Sequence, residues 1–361
     1  MYSFKDYLKR GFRLINNELF PAGKKLSSVM LYATDRCSAK CKHCNIWAKT
    51  PKQHLPLSKI KEIVESPVIS KSTVIGLEGG EFILHPEAME ILEYLHNNHP
   101  CYDLLSNCVQ PKKIFEAISK FPPMRLFISL DGTPDTHNFI RGVDLYDKVI
   151  ETIELCRDHV PVSVMFTMTP FNNFEDLKHV ADVCLKYDID MRVGIYNNME
   201  YFDTTVSSKE ANTLDFQVRE IPVVIKQFAE NYDFVSLYTE YRNGNVLLQC
   251  RSIKDSIVIY PGGDVPLCQN KHITIGNVFE EPLKKIMNKK ETRKIHKYHK
   301  NNCNECWVNF HRKYDIVFFR SLEKIFPKVF LQLFFGKYYW CHNHRLTYNK
   351  FLRLRAKDNN L

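Results

Sequence analysis

Three cysteines lie within eight residues near the start of the chain, at Cys37, Cys41 and Cys44. Three thiolates at this spacing can hold three corners of a cubane iron–sulfur cluster and leave its fourth iron open to a reactant. A structural metal site normally has four protein ligands, whereas a catalytic metal keeps one position vacant. The spacing therefore favours a catalytic cluster. The alternative is a zinc loop that takes His43 or a more distant residue as its fourth ligand.

Two apolar segments further along the chain end in residues that suit a ligand. The first ends in Gly79, Gly80 and Glu81, and the second ends in Ser129 and Asp131. Both are predicted strand C-termini, where α/β folds gather their binding groups. Each has an ordinary explanation when taken alone, because paired glycines form turns and most glutamates after a strand are solvated. Their combination with the cysteines is what indicates a site.

Taken in order, these motifs resemble those of the radical S-adenosylmethionine (SAM) enzymes, over about residues 28 to 310. The three cysteines match the CxxxCxxC motif of that family, which implies a 4Fe–4S cluster that binds SAM. The residues that the resemblance assigns to SAM are His43 beside the adenine, Gly79, Gly80 and Glu81 at the methionine amino group, Ser129 and Asp131 in the ribose and carboxylate motif, Arg141 at the methionine carboxylate, and Ile195 over the adenine.

Four more cysteines lie towards the C-terminus, at Cys250, Cys268, Cys303 and Cys306. Residues 256–260 and 265–268 are predicted to form a hairpin around a Pro-Gly-Gly turn. Such a hairpin would bring Cys250 and Cys268 to neighbouring ends. Four thiolates so arranged close a metal site, and the spacing alone fits zinc as well as a second cubane.

The same four cysteines, together with Gly263, resemble the shortened auxiliary-cluster domain called twitch in the SPASM/twitch branch of the family. A full SPASM domain would supply three more cysteines after Cys306, and only Cys341 remains there. The resemblance therefore implies one auxiliary 4Fe–4S cluster with four cysteine ligands. Because such a cluster has no open iron, electron transfer is its expected role.

The remaining cysteines show no metal spacing and are expected to be free; they are Cys101, Cys108, Cys156, Cys184 and Cys341. A chain of 361 residues can bury an ample core without disulfides, and its first residues do not form a signal peptide. A reduced, cytoplasmic setting is therefore expected, and it suits oxygen-sensitive clusters.

The periodicity of residues 29 to 196 predicts an α/β fold. Apolar strand patterns at 29–34, 72–77, 101–106, 124–130, 161–168 and 189–196 alternate with helical patterns at 57–66, 86–98, 111–120, 145–159 and 174–187. Six parallel strands with crossover helices match the partial (β/α)6 barrel of the family. The expected division is an N-terminal helical extension at 1–28, a radical SAM core at 29–235 that includes a helix at 208–230, a twitch-like or SPASM-like auxiliary-cluster domain at 236–310, and a tail at 311–361.

The tail has an unusual composition. Residues 310–361 contain eleven Lys/Arg against three Asp/Glu, a net charge of +8 out of +9 for the whole chain, and thirteen aromatic residues. No apolar run in it approaches the roughly twenty residues needed to cross a bilayer. Peripheral contact with an anionic membrane surface and a helix that caps the barrel are both compatible with this composition. Nucleic acid is disfavoured, because the tail has no recognised RNA-binding motif.

The resemblance also implies a mechanism. After reduction by a donor such as flavodoxin or ferredoxin, cleavage of SAM yields a 5′-deoxyadenosyl radical that removes hydrogen from a substrate. If the auxiliary cluster accepts a second electron, the net reaction is a two-electron oxidation. No catalytic acid or base is assigned from the sequence. Tyr196, Asn197, Asn198 and Glu200 follow the sixth strand and could meet substrate, although a solvated loop explains each of them.

Three classes of function remain open at this stage. The leading hypothesis is dehydrogenation of a small molecule or glycan precursor, because dehydrogenases with a similar domain layout occur in the family. The second is maturation of a ribosomally made peptide, which would need a separate leader-binding partner because residues 1–28 are too short for a fused one. The third is a non-catalytic iron–sulfur or zinc protein, which metal analysis would separate from the other two.

Overall fold

The computed structural model describes residues 24–196 and 250–303 without interruption. Shorter described pieces cover 12–13, 15–17, 20, 200–202, 234–235, 237–238, 241, 244, 306–308, 310–311, 322–323 and 325–335. The predicted helix at 208–230, Asn197, Asn198 and most of the tail lie outside the described residues. The division into domains stays a prediction.

A curled, parallel sheet of seven strands forms the centre of the fold, in the order β6-β5-β4-β3-β2-β1-β7. The strands are β1 (Ser28–Tyr32), β2 (Val74–Glu78), β3 (Tyr102–Ser106), β4 (Arg125–Ser129), β5 (Val162–Met168), β6 (Asp190–Ile195) and β7 (Ser256–Ile259). The first six correspond to the six predicted strands. The predicted α/β class with an open parallel barrel is confirmed, with one strand more than expected.

Six helices connect these strands: α1 (Leu57–Val64), α2 (Ala88–Asn98), α3 (Pro111–Lys120), α4 (Pro134–Arg141), α5 (Tyr146–Cys156) and α6 (Phe174–Tyr187). Five of them were predicted, and α4 was not. Its sequence has no long apolar period, and its ends define it instead. Thr133 caps the N-terminus by accepting from the Thr136 N–H, and Gly142 ends the helix at a φ of 66°.

Side chains along each strand alternate between two environments. Leu31, Leu77 and Leu126 are fully buried in the large core that also contains the apolar faces of the helices. The alternate positions lie on the inner side of the curled sheet, and several of them are polar: Tyr32, Glu78, Asp103, Ser129 and Arg192. The open barrel therefore has an apolar outside and a polar interior.

The seventh strand corrects one prediction. β7 pairs in parallel with β1, with Ser28 opposite Ser256, and β8 (Asp264–Cys268) pairs antiparallel with β9 (Lys271–Asn277). The hairpin predicted between residues 256–260 and 265–268 was therefore wrong in its pairing, although the turn at Gly263 exists. All four residues of β7 are buried, as expected of a strand in a covered parallel sheet.

The described part of the C-terminal half also contains α7 (Leu283–Asn288), α8 (Lys290–Asn302) and, in the tail, α9 (Lys328–Phe335). Leu331 of α9 is fully buried in the main core, whereas Val329 and Leu333 are 78% and 80% exposed. α9 thus contacts the core through one face. Within the described residues, none of the helices has the length and apolar character needed to cross a bilayer.

Candidate functional site

The loop that carries the first three cysteines follows β1, and backbone hydrogen bonds connect it to the residues at the end of β2. The N–H groups of Gly80 and Glu81 donate to the carbonyls of Thr34 and Arg36, each at 2.7 Å. A Cβ on Gly80 would lie 2.4 Å from the Arg36 carbonyl oxygen and 2.9 Å from Cβ of Cys37. Glycine is therefore required at position 80 by the close approach of the cysteine loop.

The other side of the same loop is bound to the end of α4. The N–H groups of Lys40 and Lys42 donate to the carbonyls of Arg141 and Ile140, at 2.8 and 2.9 Å. Carbonyls in the last turn of a helix have no partner within the helix, so the loop satisfies them. A Cβ on Gly142 would lie 2.5 Å from the Lys40 carbonyl oxygen. The cysteine loop is thus held between a strand end and a helix end.

The three thiols lie together in a dry environment. Cys41 is buried against Ala39 and Leu145, and Cys37 and Cys44 pack against the same apolar group. Burial raises the pKa of Cys37 and Cys44 to about 12, and the neighbouring Cys41 thiol adds to both. Thiols of this kind bind a metal as thiolates and release protons on binding. Their convergence, with an apolar shell, fits the chemistry of a cluster site.

Glu81 lies directly beside this loop with a 2% exposed side chain. Its carboxylate accepts from the hydroxyl of Ser106 at 3.0 Å and from the N–H of Asn107 at 2.7 Å. Burial raises the pKa of Glu81 to about 7, while these two hydrogen bonds act in the opposite direction. A carboxylate offers about four lone-pair sites. Glu81 can therefore still accept from an ammonium group, as predicted for the methionine end of SAM.

Asp131 and Arg141, which the sequence assigned separately, form a buried ion pair. The Arg141 Nε lies 2.6 Å from the Asp131 carboxylate, and Nη1 donates to the Cys41 Sγ at 3.7 Å. Burial alone would raise the pKa of Asp131, but the charge of Arg141 holds it below its ordinary value. The guanidinium therefore links the carboxylate to the cysteine loop. Its predicted pairing with the methionine carboxylate stays a prediction.

Several buried polar atoms around this pair have no hydrogen-bond partner among the described residues. They are Oδ1 of Asp131, the carboxylate oxygen that faces away from the ion pair, Nδ1 of His43 and Nε2 of His137. Burial lowers the pKa of His43 and of His137 to about 4, so both imidazoles are neutral. Unpaired buried polar atoms are costly, and a polar ligand such as SAM, with an ammonium, a carboxylate, hydroxyls and an adenine, fits them.

The other residues predicted to bind SAM differ in how they are placed around the Asp131–Arg141 pair. The ring of His43 lies 6.3 Å from that of Tyr196, measured between centroids. Ser129 is half-buried on the inner side of the sheet. The side chain of Ile195 is part of the main core, and Tyr196, the next residue, is the one whose ring lies near His43. All these roles remain predictions.

The four downstream cysteines lie near one another. Cys250, Cys268 and Cys303 line one pocket. Burial raises the pKa of Cys268 to about 12, and the nearby Cys306, Cys250 and Cys303 thiols each add to the shift. Within the described residues there is no group of three or more His, Cys, Asp or Glu side chains that could hold a metal ion. The four thiols thus lie near one another, but they are not arranged to hold a single metal ion.

Sequence reasoning missed two histidines at this second pocket. His296 and His299 of α8 line it beside Cys303, and Lys271 of β9 completes the same wall. Positions 296, 299 and 303 are three and four residues apart, a spacing that places side chains on one helix face. That spacing could have identified them before the structure was known.

Two family models match the chain in the regions of these two sites. The model of the radical SAM superfamily matches residues 31–184, and the model of an iron–sulfur cluster-binding domain, SPASM, matches residues 250–307. The first range contains the first three cysteines, Glu81, Asp131 and Arg141. The second contains all four downstream cysteines.

Similar proteins agree with these matches. The antilisterial bacteriocin subtilosin biosynthesis protein AlbA of Bacillus subtilis (strain 168) is 24% identical over 312 residues, which cover 82% of this chain and 68% of AlbA. Streptococcus suis SuiB bound to S-adenosylmethionine matches with a TM-score of 0.57 at 13% identity, over 80% of this chain and 72% of SuiB. Native anSMEcpe with bound AdoMet and Cp18Cys peptide matches with a TM-score of 0.52 at 14% identity, over 92% and 94%. The two structural matches show the fold alone.

A cysteine loop at the carboxyl end of a curled parallel sheet, followed by a second set of thiols, defines a radical SAM enzyme with an additional iron–sulfur domain. The chain contains a radical SAM domain at residues 31–184 and a SPASM iron–sulfur cluster-binding domain at residues 250–307. Its cofactors are SAM, a SAM-binding 4Fe–4S cluster and an auxiliary 4Fe–4S cluster. The predicted family is confirmed, and the non-catalytic alternative is set aside.

Proposed function

We propose that this enzyme modifies a peptide through a two-electron oxidation that begins with hydrogen abstraction by a 5′-deoxyadenosyl radical. The observation that carries the proposal is the second set of thiols, Cys250, Cys268, Cys303 and Cys306, which converge in a domain packed on the barrel. A cluster with four cysteine ligands has no open iron for a substrate. It is suited to take an electron from the substrate radical instead.

A peptide substrate is favoured over a small molecule by the relatives. AlbA is named as a bacteriocin biosynthesis protein, and one SuiB structure is described as bound to the precursor peptide SuiA. The anSMEcpe structure likewise holds a peptide. The sequence alone placed a small-molecule or glycan dehydrogenase first. These comparisons give the peptide hypothesis the stronger support.

The residues of this chain would hold the cofactors as follows. Cys37, Cys41 and Cys44 would bind the first cluster, which together with SAM supplies the radical when bound. Glu81 would accept from the methionine ammonium of SAM. Arg141 has five N–H donors, so it could contact the methionine carboxylate of SAM while it remains paired with Asp131. The apolar residues around the thiols would exclude water from the reactive region.

The proposal is tested by incubating the anaerobically reconstituted enzyme with SAM, a reductant and two substrate sets. One set is a library of peptides, and the other is a panel of amino sugars and glycan precursors. We expect 5′-deoxyadenosine together with a peptide product that has lost two hydrogen atoms, both measured by mass spectrometry. The Cys41→Ala variant is the control and should form neither. Conversion confined to the small molecules would contradict the proposal.

A further inference from the structure

Three side chains connect the auxiliary-cysteine domain to the interior of the barrel. Gln269, the residue after Cys268, donates from Nε2 to the hydroxyl oxygen of Tyr32 at 2.8 Å. Tyr32 ends β1 and lies directly opposite Glu78, which ends β2. The Tyr32 hydroxyl in turn forms a side-chain hydrogen bond with Glu78. Because the amide of Gln269 donates to the phenol oxygen, the phenol proton points towards the carboxyl group of Glu78.

Glu78, one of these three side chains, lies in the barrel interior, where a substrate would bind. Its side chain is half-buried and lies on the inner side of the sheet, in line with Gly76, whose missing side chain leaves room next to it. The residue after Glu78 begins the glycine pair that packs against the cysteine loop. Glu78 is therefore in the barrel interior and one residue from the predicted SAM motif.

The charged and titratable groups around Glu78 favour a carboxyl that changes protonation near neutrality. Burial raises the pKa of Glu78 to about 7, Asp103 on β3 adds to the shift, and the Tyr32 hydrogen bond acts against it. Tyr32 is surrounded by Tyr201, Tyr260 and the Cys44 thiol, and burial keeps its pKa well above the ordinary value. A cation, Lys49, lies on the far side of these rings, with its Nζ 3.3 Å from the ring centre of Tyr201. Tyr32 thus stays protonated while Glu78 can exchange a proton.

The two-electron oxidation needs such a group. Abstraction moves a hydrogen atom from a substrate carbon to the 5′-deoxyadenosyl radical and leaves a carbon radical. That radical becomes a double bond to the neighbouring nitrogen, oxygen or sulfur when it loses one electron and the N–H, O–H or S–H loses one proton. The auxiliary cluster is the electron acceptor under the proposed function. The oxidation therefore also needs a proton acceptor close to the substrate.

We propose that Glu78 is the proton acceptor of this oxidation, and that Tyr32 and Gln269 are positioning residues that orient it from the auxiliary domain. This inference rests on the proposed two-electron oxidation. The substrate class it requires is a peptide with an N–H, O–H or S–H group next to the carbon that loses hydrogen. The proton goes to the Glu78 carboxylate as the electron goes to the auxiliary cluster, so charge is conserved.

The first test compares Glu78→Gln with the wild-type holoenzyme at saturating SAM. Glutamine keeps the size of the side chain and the contact with Tyr32 but cannot take a proton. We expect 5′-deoxyadenosine formation to continue while the ratio of oxidised product to 5′-deoxyadenosine falls about 100-fold. The wild-type ratio should rise with pH through about 7, because the ionised form accepts the proton, and the variant should show no such rise. Glu93→Gln, an exposed glutamate on α2, is the matched control.

A second readout is independent of turnover. In infrared difference spectra of the holoenzyme without substrate, the protonated carboxyl band of Glu78 is the one that disappears in Glu78→Gln. We expect this band to titrate near pH 7 in the wild type. In Tyr32→Phe and, to a smaller extent, Gln269→Leu it should titrate at higher pH, because the hydrogen bond that favours the ionised form is lost or weakened.

The possible outcomes separate this inference from the proposed function. Wild-type product yield and an unchanged pH profile in Glu78→Gln would overturn it. An equal loss of SAM cleavage and product would also overturn it, since that result places Glu78 in SAM binding. If the wild type oxidises no peptide, the proposed function fails. Independently of that result, a carboxyl band of Glu78 whose pH dependence is unchanged in Tyr32→Phe would exclude the positioning role of Tyr32 and Gln269.

Discussion

Arg141 illustrates how a single side chain can serve two neighbours at this site. Its Nε lies 2.6 Å from Asp131, and its Nη1 contacts the Sγ of Cys41 at 3.7 Å. Leaving one partner of a buried ion pair uncompensated is strongly destabilising. The guanidinium is planar and remains protonated in proteins. Arg141 therefore provides a fixed positive charge beside the thiolates that would bind the first cluster.

Glu81 gives a pH-dependent prediction at the residue scale. Because burial raises its pKa to about 7, the carboxyl group becomes protonated as the pH falls through about 7, and it then loses its attraction for an ammonium group. We expect the affinity for SAM to fall below about pH 7. Glu81→Gln should weaken SAM binding about tenfold at pH 8, as for a charged hydrogen bond, and remove this pH dependence. Calorimetric titration of the reconstituted enzyme with SAM measures both.

The control for this prediction is the cluster content. Iron bound per chain should be nearly the same in Glu81→Gln and the wild type, because Glu81 is not a predicted ligand. Equal affinity of the two proteins for SAM at every pH would show that the motif has been assigned incorrectly.

At the scale of elements, the site depends on the contact between the end of β2 and the cysteine loop. Adding a Cβ at Gly80 places it 2.4 Å from the backbone of Arg36. The backbone of Arg36 cannot move away from this added Cβ without displacing the neighbouring Cys37. We expect Gly80→Ala to lose about four irons, the content of one 4Fe–4S cluster, while it stays folded. Gly76→Ala is the matched control, since its nearest neighbour would be 3.9 Å away. Iron analysis and circular dichroism measure the two effects.

How far the sequence could predict these elements depends on the range of the contacts involved. The strands from β1 to β6 and the helices between them follow from local periodicity. β7 was not recognised as a barrel strand because its pairing joins Ser256 to Ser28, more than two hundred residues away. The helix α4 was missed because its capping residues define it.

The residues of the site also divide into those that local sequence patterns predict and those that depend on distant contacts. The two thiol sets follow from residue type and spacing, and the structure brings each set together. The ion pair between Asp131 and Arg141 depends on the position of α4. Glu78 was not singled out, because nothing local distinguishes it from a solvated glutamate at a strand end. Its importance comes from Tyr32 and Gln269, which lie in distant segments.

At the scale of the whole molecule, the two thiol sets are expected to have separate roles. Cys303→Ala removes one of four auxiliary ligands and leaves the cysteines at 37, 41 and 44 intact. We expect 5′-deoxyadenosine to form at a measurable rate while oxidised product falls at least tenfold, since the substrate radical loses its electron acceptor. Mass spectrometry of both products tests this. Cys184→Ala, which removes a buried thiol from α6, is the matched control.

A second outcome for Cys303→Ala would identify a structural role. If the auxiliary thiols bound zinc, metal binding would be coupled to folding, and the variant would show a lowered melting temperature. A folded variant with undiminished product would contradict the role of electron acceptor.

The charge of the molecule is also distributed unevenly, and the distribution bears on how electrons arrive. Residues 283–302, which form α7 and α8, contain eight Lys/Arg and one Glu. Six of these cations are exposed: Lys284, Lys285, Lys290, Arg293, Lys294 and Lys297. Another face of α8 carries His296 and His299, which line the auxiliary pocket. A helix is about 10–12 Å across, so an acidic electron carrier on the basic face would lie about that distance from the cysteines.

This arrangement predicts that an acidic donor such as flavodoxin reduces the enzyme faster at low salt. Opposite charges accelerate encounter, and salt screens the attraction. We expect the rate of auxiliary-cluster reduction to fall about tenfold with charge reversal at Arg293, Lys294 and Lys297, and to lose most of its salt dependence. Reversal of Lys112 and Lys113, which are exposed on α3, is the matched control and should change the rate little. Stopped-flow reduction monitored by absorbance measures these rates, and a neutral photoreductant in place of flavodoxin should reduce all the variants equally. Equal flavodoxin rates for the two charge reversals would show that the carrier docks elsewhere on the molecule.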